Sequence, residues 1–202
     1  MVRFEKYHNF IQRGQTDFKK RIVLCHTSRE ADEYLASLKF RYNSRYDKIP
    51  NYLVKKDGTI LQLMEDKFYN DFFNDEELNQ DSVVVSLENF GWLEKKPLTN
   101  HYISWKGSIY YGEIFEKKWR DFFFWDPYTE IQTKNLASLC LQILETNKIK
   151  KDCVGHNTKI DGIKNFEGII TRSNLNSRFT DLNPSFDFEN FLKLIENEQY
   201  TQ

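Results

Sequence analysis

The chain alternates short runs of β-branched and aliphatic residues with longer segments whose apolar positions recur at helical spacing. Arg21–His26 and Ser82–Leu87 are runs of the first kind, so we expect two buried strands, the second of them central in its sheet. Residues 50–54 and 59–64 flank Asp57-Gly58, a dipeptide that readily supplies the positive φ angles of a tight turn. These two segments are therefore predicted to form a β-hairpin.

Helix signals follow in three places. A capping-box pattern, in which a Ser or Thr is followed three residues later by Glu or Gln, opens at Thr27 and again at Thr129. Apolar residues continue at helical spacing after each, which predicts one helix after Thr27 and a second that reaches about Asn147. Asp187 is expected to cap a last helix, and residues 153–155 are expected to form a brief strand.

Mixed strands and helices in this order favour an α/β fold with a central mixed β-sheet flanked by helices. Residues 93–127 are aromatic and irregular in pattern, and we interpret them as an insertion. The predicted organisation is an N-terminal extension over residues 1–20 and a single domain over 21–202. The sequence contains no internal repeat and no glycine-rich phosphate loop, which disfavours nucleotide chemistry.

Composition limits the partners that the chain is expected to have. Its 202 residues are 40% hydrophobic and can bury a full core, while the formal net charge of -1 gives no bulk attraction to nucleic acid or to anionic membranes. We expect a monomer that binds neither. The N-terminal residues lack the apolar run of a signal peptide or a membrane span, which predicts a cytoplasmic location at synthesis. Three cysteines, an odd number without a CxxC pair, are expected to be buried and reduced.

Several motifs occur in an order that resembles one family. They are the strand ending in His26, the hairpin over 52–62, the strand over 82–89, the helix start at 128–132, Gly155-His156, and Thr180-Asp181 with the following 184–187 segment. Together they resemble the zinc amidases that cleave the N-acetylmuramoyl-L-alanine bond of peptidoglycan, a group with phage lysozyme-type enzymes, recycling amidases and peptidoglycan recognition proteins. The resemblance covers residues 21–194.

The resemblance implies a metal site. His26, His156 and Asp181 match the family's three zinc ligands. Two imidazoles and one carboxylate suit Zn²⁺ and leave a fourth position for a water whose pKa falls to about 7. The implied function is zinc-dependent hydrolysis of the muramoyl–alanine amide in peptidoglycan or muropeptides, as an endolysin that reaches the wall without a signal peptide or as a recycling enzyme. Each residue alone would more often be structural, with Asp181 capping a turn.

The family's proton-transfer and oxyanion groups are missing from their usual places. A glutamate of the family corresponds to Ser86, a lysine to Phe179, and a tyrosine of the phage-type enzymes falls near Pro50. An amide hydrolase needs a group that protonates the leaving nitrogen and a donor for the oxyanion.

Neighbouring residues are candidates for these roles. Glu88 and Tyr52 each lie two residues past a missing group, on the same strand face and roughly 7 Å further along. Arg178, beside Phe179, is a candidate for stabilising the oxyanion. The alternatives are a surface ion pair for Glu88, core packing for Tyr52 and a solvent-facing side chain for Arg178.

Two further features bear on specificity. The segment over 159–176 lengthens the span between His156 and Asp181, and it is expected either to lie over the cleft or to form a loop clear of it. At most two of six aromatic residues are expected to stack on sugar rings. They are Trp92, Trp105, Tyr110, Tyr111, Trp119 and Trp125.

Two functions compete with the amidase. One is a non-catalytic peptidoglycan-binding module on the same fold, favoured by the departures at Ser86 and Phe179. The other is a zinc hydrolase that acts on a different amide, because the motif defines the metal better than the substrate.

Overall fold

The computed structural model describes residues 4–7, 10, 12–40, 48–98 and 101–197. A six-stranded mixed sheet lies at the centre of this part of the chain, in the order β1-β5-β4-β7-β3-β13. Its strands are β1 (Glu5–Lys6), β3 (Arg21–His26), β4 (Tyr52–Val54), β5 (Ile60–Gln62), β7 (Ser82–Leu87) and β13 (Gly168–Thr171). Strands β4, β7, β3 and β13 are parallel to one another, whereas β4 and β5 form the predicted antiparallel hairpin. The predicted α/β class is confirmed.

The N-terminal residues contribute two short strands that their sequence pattern did not indicate. Strand β1, within the predicted N-terminal extension, pairs in parallel with β5 at one edge. A separate two-stranded ribbon joins β2 (Gly14–Gln15) to β6 (Phe68–Tyr69).

The aromatic insertion forms a second sheet, in the order β10-β9-β8-β12-β11, with antiparallel neighbours throughout. Its strands are β8 (Trp92–Lys95), β9 (Tyr102–Ser104), β10 (Ile109–Tyr110), β11 (Phe115–Trp119) and β12 (Phe122–Trp125). The sequence had indicated a strand only around Ile109. The insertion is therefore more regular than its pattern suggested.

Helices lie on both faces of the central sheet. They are α1 (Ala31–Phe40), α2 (Glu76–Asp81), α3 (Glu130–Asn147), α4 (Arg172–Leu175) and α5 (Phe188–Asn197). Thr129 accepts a hydrogen bond from the N–H of Gln132 at 3.1 Å, and Asp187 accepts one from Asn190 at 2.9 Å, so both predicted caps are confirmed. None of the helices in the described residues is long and apolar enough to span a bilayer.

The start of α1 differs from its prediction. Its first N–H, at Ala31, donates to Oε1 of Glu88 at 3.0 Å, while the Thr27 hydroxyl bonds instead to the backbone of Arg29. The cap thus comes from the end of β7, which local pattern could not reveal.

Strand alternation determines which side chains face the site. Ile22, Leu24 and Leu87 pack into the core beneath α3 and α5. Because successive residues of a strand point to opposite faces, His26 shares this side of the sheet, whereas Cys25 and Ser86 face the other. All three cysteines are free thiols; Cys25 and Cys140 are buried, as predicted, whereas Cys153 is only partly buried.

Candidate functional site

His26 and Asp181 meet at the carboxyl end of β3. The backbone N–H of His26 donates to Oδ1 of Asp181 at 2.7 Å, and Nε2 of the same histidine lies 3.2 Å from that oxygen. The Asp181 side chain is completely buried, and that of His26 is 3% exposed. The sequence correctly placed these two residues together, although 155 positions separate them.

Arg172 also binds this carboxylate, a contact that the sequence analysis did not foresee. Its Nε donates to Oδ2 of Asp181 at 2.7 Å and its Nη2 donates to Oδ1 at 3.0 Å, the two-pronged geometry that suits a guanidinium on a carboxylate. The guanidinium carbon lies 4.1 Å from the ring centre of Phe179 and 5.9 Å from that of Phe72. Aromatic contacts and a buried ion pair therefore hold Arg172 in place.

The charges of this cluster set its protonation. Burial alone would raise the pKa of the Asp181 carboxyl, but the charge of Arg172, together with hydrogen bonds from Arg172 and from the backbone of His26, holds that pKa below its ordinary value. Burial lowers the pKa of His26, opposed in part by Asp181. At neutral pH the cluster therefore contains a carboxylate, a neutral imidazole and a guanidinium.

His156 is not part of this cluster. Its side chain is exposed, and its Nδ1 accepts a hydrogen bond from the N–H of Thr158 at 3.2 Å. No three His, Cys, Asp or Glu side chains come together as a metal-binding group among the described residues. The ligand set expected from the resemblance is thus only two-thirds assembled.

The inserted segment explains the position of His156. Strand β13 pairs with β3 on one side, while on the other it bonds to the segment that leads to His156, through a bridge between Cys153 and Ile169. At Cys153 that segment lies two strand spacings from β3, roughly 10 Å away. Part of the segment over 159–176 is strand β13 of the sheet, and other residues of the segment, among them Lys159 and Lys164, line a cavity beside Arg172.

One glycine makes this placement possible. Gly168 opens β13 with φ of 132°, and a Cβ there would lie 2.2 Å from the carbonyl oxygen of Asp152. No other residue fits so close to backbone, and L side chains rarely adopt this conformation.

The described side chains do not fit a zinc ion at Asp181. Both carboxylate oxygens already accept hydrogen bonds from a guanidinium that carries a permanent positive charge. The second histidine lies outside the group, and the imidazole of His26 is enclosed, with its ring against the backbone of Gly91. Zinc binding by His26, His156 and Asp181 remains a prediction that this arrangement does not support.

Two of the candidate catalytic residues have structural partners. Glu88 accepts from the N–H of Ala31 and, through Oε2, from the N–H of Lys56 at 2.9 Å. The Tyr52 hydroxyl donates to Asp66 at 2.7 Å, and burial raises the pKa of Tyr52 well above its ordinary value. In register, Tyr52 lies level with Leu24, two strands away from β3 and two residues short of His26.

Arg178 is exposed, and the structure places no hydrogen bond between its side chain and the cluster. Among the positions where the family has catalytic groups, Ser86 is buried with its hydroxyl 3.0 Å from the Cys25 sulfur, and Phe179 covers Arg172. Neither Ser86 nor Phe179 supplies a proton-transfer group at Asp181.

A cavity of about 720 Å³ borders the Arg172–Asp181 pair on the side of the inserted segment. Phe72, Phe73, Phe179 and Arg172 contribute to its wall. Its volume lies in the range of small-molecule sites, and its lining combines aromatic rings with charged side chains of both signs, which suits an amphipathic ligand. A second cavity, of about 850 Å³ beside Gly58, is lined by other residues.

A second buried polar cluster, also missed from sequence, joins the two sheets. Asp126 is fully buried and forms an ion pair with Lys56, and it accepts hydrogen bonds from the Tyr110 hydroxyl at 2.6 Å and the N–H of Phe90 at 2.7 Å. The Asn183 side chain donates to the Asp126 carbonyl at 2.9 Å. The only sequence signal was a polar residue directly after an aromatic strand.

Four of the six aromatic residues considered for sugar binding differ clearly in their exposure to solvent. Trp125 is fully buried, and Tyr110 is committed to Asp126. Trp105 and Tyr111 are exposed, at 46% and 85%, and the Trp105 indole N–H donates to the carbonyl of Ser28 just beyond β3. Stacking of either residue on sugars remains a prediction.

Comparisons with solved structures show the same fold in peptidoglycan amidases. The Escherichia coli amidase AmiD, solved with anhydro-N-acetylmuramic acid-L-Ala-D-gamma-Glu-L-Lys, matches 92% of this chain at 17% identity and a TM-score of 0.55. This chain spans 60% of the length of AmiD. The Staphylococcus aureus hydrolase AmiA, solved with its ligand, matches 99% of this chain and 83% of its own at 12% identity and a TM-score of 0.56. The amidase LysC of Clostridium intestinale matches 95% of both chains at 11% identity and a TM-score of 0.54.

Sequence comparison agrees with the fold. No curated protein sequence matches the chain. The family model described as N-acetylmuramoyl-L-alanine amidase, however, matches residues 15–167, about three quarters of the chain and a stretch that includes His26 and His156. The chain belongs to the N-acetylmuramoyl-L-alanine amidase family.

Proposed function

We propose that the chain engages the N-acetylmuramoyl-L-alanine linkage of peptidoglycan or of muropeptides, and that it does so by binding without cleavage. Family membership and the shared fold support the substrate class. The ion pair at Asp181 supports binding over hydrolysis.

That ion pair is the observation on which the proposal depends. Hydrolysis by the family chemistry needs a metal with an open position, and the third ligand must offer it an oxygen. Here both oxygens of Asp181 are held by Arg172, and the exposed His156 side chain is not part of the group. Recognition needs neither a metal nor an open position, so it is compatible with the arrangement.

The cavity beside Arg172 is the proposed binding site. A muropeptide combines sugar rings that have flat apolar faces with a peptide that carries carboxylates, and Phe72 and Phe179 offer aromatic faces for the former. Lys48, Lys159 and Lys164 also line the cavity and give its margin positive charge. This charge is partly offset by the acidic partners Asp161 and Asp75.

Hydrolysis is the second candidate, favoured by the family description and by the inclusion of both histidines in the matched residues. Zinc would then be the cofactor and His26, His156 and Asp181 its ligands. For hydrolysis, the Arg172 guanidinium would first have to release Asp181, and the described contacts hold the two side chains together.

One experiment separates the two candidates. The purified full chain is mixed with peptidoglycan sacculi and with soluble muropeptides, with added zinc or with a chelator, and both co-sedimentation and product masses are measured. We expect chelator-insensitive binding with intact muropeptides. Chelator-sensitive release of peptides with free N-terminal alanine would establish hydrolysis, and the absence of both binding and release would contradict both candidates.

Variants locate the binding site. Phe72→Ala and Phe179→Ala should each weaken muropeptide binding by about tenfold, because removal of an aromatic anchor from a pocket typically costs more than 1 kcal/mol. Phe123→Ala removes an exposed aromatic from the insertion sheet and is the matched control. Equal loss in all three variants would mean that the cavity is not the binding site.

A further inference from the structure

We propose that the guanidinium of Arg172 takes the place of the metal ion in this amidase fold, so that the Asp181 site takes up no divalent cation. The inference concerns metal uptake alone. It is tested without peptidoglycan, so its failure can be distinguished from failure of the proposed binding function.

The position of Arg172 follows from the pairing of β13 with β3. Thr171, the last residue of β13, is paired with Leu24 of β3, so the chain enters α4 at Arg172 directly beside the end of β3. Strand β13, which ends just before Arg172, lies next to β3, and the stretch around Cys153 pairs with the other side of β13. The inserted segment therefore brings a permanent cation to the end of β3, beside His26 and Asp181.

The oxygens of Asp181 already accept hydrogen bonds from neighbouring groups. A zinc ligand must offer a free lone pair directed at the metal, with the remaining lone pairs held by neighbouring groups. Asp181 accepts two hydrogen bonds from Arg172 and one from the backbone of His26. The carboxylate is thus already satisfied by donors without a metal.

The positive charge of Arg172 also opposes the binding of a metal ion. A divalent ion bound to Asp181 would lie within a few ångströms of the guanidinium in a buried site, where repulsion between like charges is strong. Arginine cannot relieve this repulsion by losing its proton. Phe179 stacks on the guanidinium and Phe72 lies near it, which keeps the cation against the carboxylate.

The Arg172–Asp181 pair is also anchored through the short helix α4, which carries Arg172. The Ser173 hydroxyl donates to the carbonyl of Phe179 at 2.8 Å, and Asn174 accepts from the N–H of Thr171 at 2.7 Å. Both residues are fully buried. The short helix that carries Arg172 is therefore fixed to the sheet and to the segment before Asp181.

The test measures zinc directly. Purified full-length protein is dialysed against zinc, and bound metal is determined by mass spectrometry, with thermal unfolding in zinc and in chelator as a second readout. Wild type should hold far less than one zinc per chain and show no zinc-dependent shift of its unfolding temperature. One zinc per chain that is lost in both His26→Ala and Asp181→Asn would overturn the inference, whereas zinc that survives both substitutions lies elsewhere and agrees with it.

A gain-of-binding variant sharpens the result. Arg172→His removes the like charge and adds a donor next to His26 and Asp181, so zinc affinity should rise at least about tenfold over wild type. The gain should vanish when His26→Ala is added. Lys118→His, at an exposed position of strand β11, is the control and should gain nothing.

A folded Arg172→His protein without any gain would overturn the claim that the guanidinium keeps metal out. If this variant fails to fold, the wild-type zinc content and its response to His26→Ala and Asp181→Asn still decide the matter.

Discussion

Two fully buried carboxylates, Asp181 and Asp126, invite comparison because each is paired with a cation and each joins segments distant in sequence. At Asp181 a planar guanidinium binds both oxygens and is packed against aromatic rings. At Asp126 a lysine binds one oxygen, while a tyrosine hydroxyl and a backbone N–H provide further donors.

The difference teaches how to interpret a buried carboxylate in an enzyme fold. Asp126 depends on several donors of different kinds, so it resembles a structural joint between the two sheets. Asp181 depends mainly on one side chain, supplied by the inserted segment, at the position where relatives with this fold are expected to need a carboxylate for chemistry. Burial and an ion pair are common to both, and the identity of the partner distinguishes them.

The largest expected effect tests how strongly Asp181 depends on Arg172. Arg172→Met should lower the free energy of unfolding by about 3–5 kcal/mol, because it leaves a buried carboxylate without its cation. Urea unfolding followed by circular dichroism measures the change. Lys164→Met, which breaks an exposed pair with Asp75, should cost under about 1 kcal/mol. Comparable losses in the two variants would remove the distinction drawn for Asp181.

A buried cation without a close carboxylate sharpens the comparison. Lys19 is 2% exposed and donates to the carbonyl of Gln80 at 2.7 Å, and burial lowers its pKa to about 8. Between pH 8 and 10.5 the unfolded chain binds more protons at this site than the folded chain, so stability from this group rises with pH.

Lys19→Met should therefore stabilise the protein at pH 7 by up to about 3 kcal/mol, the equivalent of its shift in pKa. The difference in unfolding free energy between variant and wild type should shrink as the pH is raised from 8 to 10.5. A difference that does not change with pH in urea unfolding would show that Lys19 is not a buried charge.

The third prediction concerns Asp126. Lys56→Met should cost about 1–2 kcal/mol, less than Arg172→Met, because Tyr110 and the N–H of Phe90 still donate to the carboxylate. Lys55→Met is the control, since Lys55 faces the exposed Asp32 and should be close to neutral. A larger loss for Lys56→Met than for Arg172→Met would reverse the ranking of the two clusters.

The smallest expected effect concerns Glu88. Unlike Asp181 and Asp126, this carboxylate forms no ion pair within the described part of the chain. Glu88→Gln should lower stability by about 1 kcal/mol, as expected for weakening a helix cap, and leave muropeptide binding unchanged. Thermal unfolding and co-sedimentation measure the two quantities. Loss of a peptidoglycan-directed activity with unchanged stability would restore Glu88 as a catalytic candidate.

Local signals account for the parts of the fold that sequence could predict. The strand ending at His26, the hairpin around Asp57-Gly58, the strand at Ser82–Leu87 and the cap at Thr129 all depend on neighbours in sequence. Asp181 was placed beside His26 by motif order alone, through the resemblance.

What could not be predicted depends on contacts between distant residues. Gly168–Thr171 is a four-residue run whose place in the sheet is decided by pairing with β3, and nothing in its own pattern selects that partner. The same holds for the cap that Glu88 gives to α1 and for the pairing of Lys56 with Asp126. The sequence had instead indicated a cap at Thr27 and a catalytic or surface role for Glu88, and it offered no partner for Lys56.

The carbonyl of Asp152 approaches Gly168 so closely that a single methyl group could not be accommodated between the two segments. This close approach lets the stretch before His156 pair directly with β13, through the bridge between Cys153 and Ile169. A side chain at residue 168 would push the two segments apart, so the absence of one carbon atom decides how the stretch that carries His156 meets the sheet.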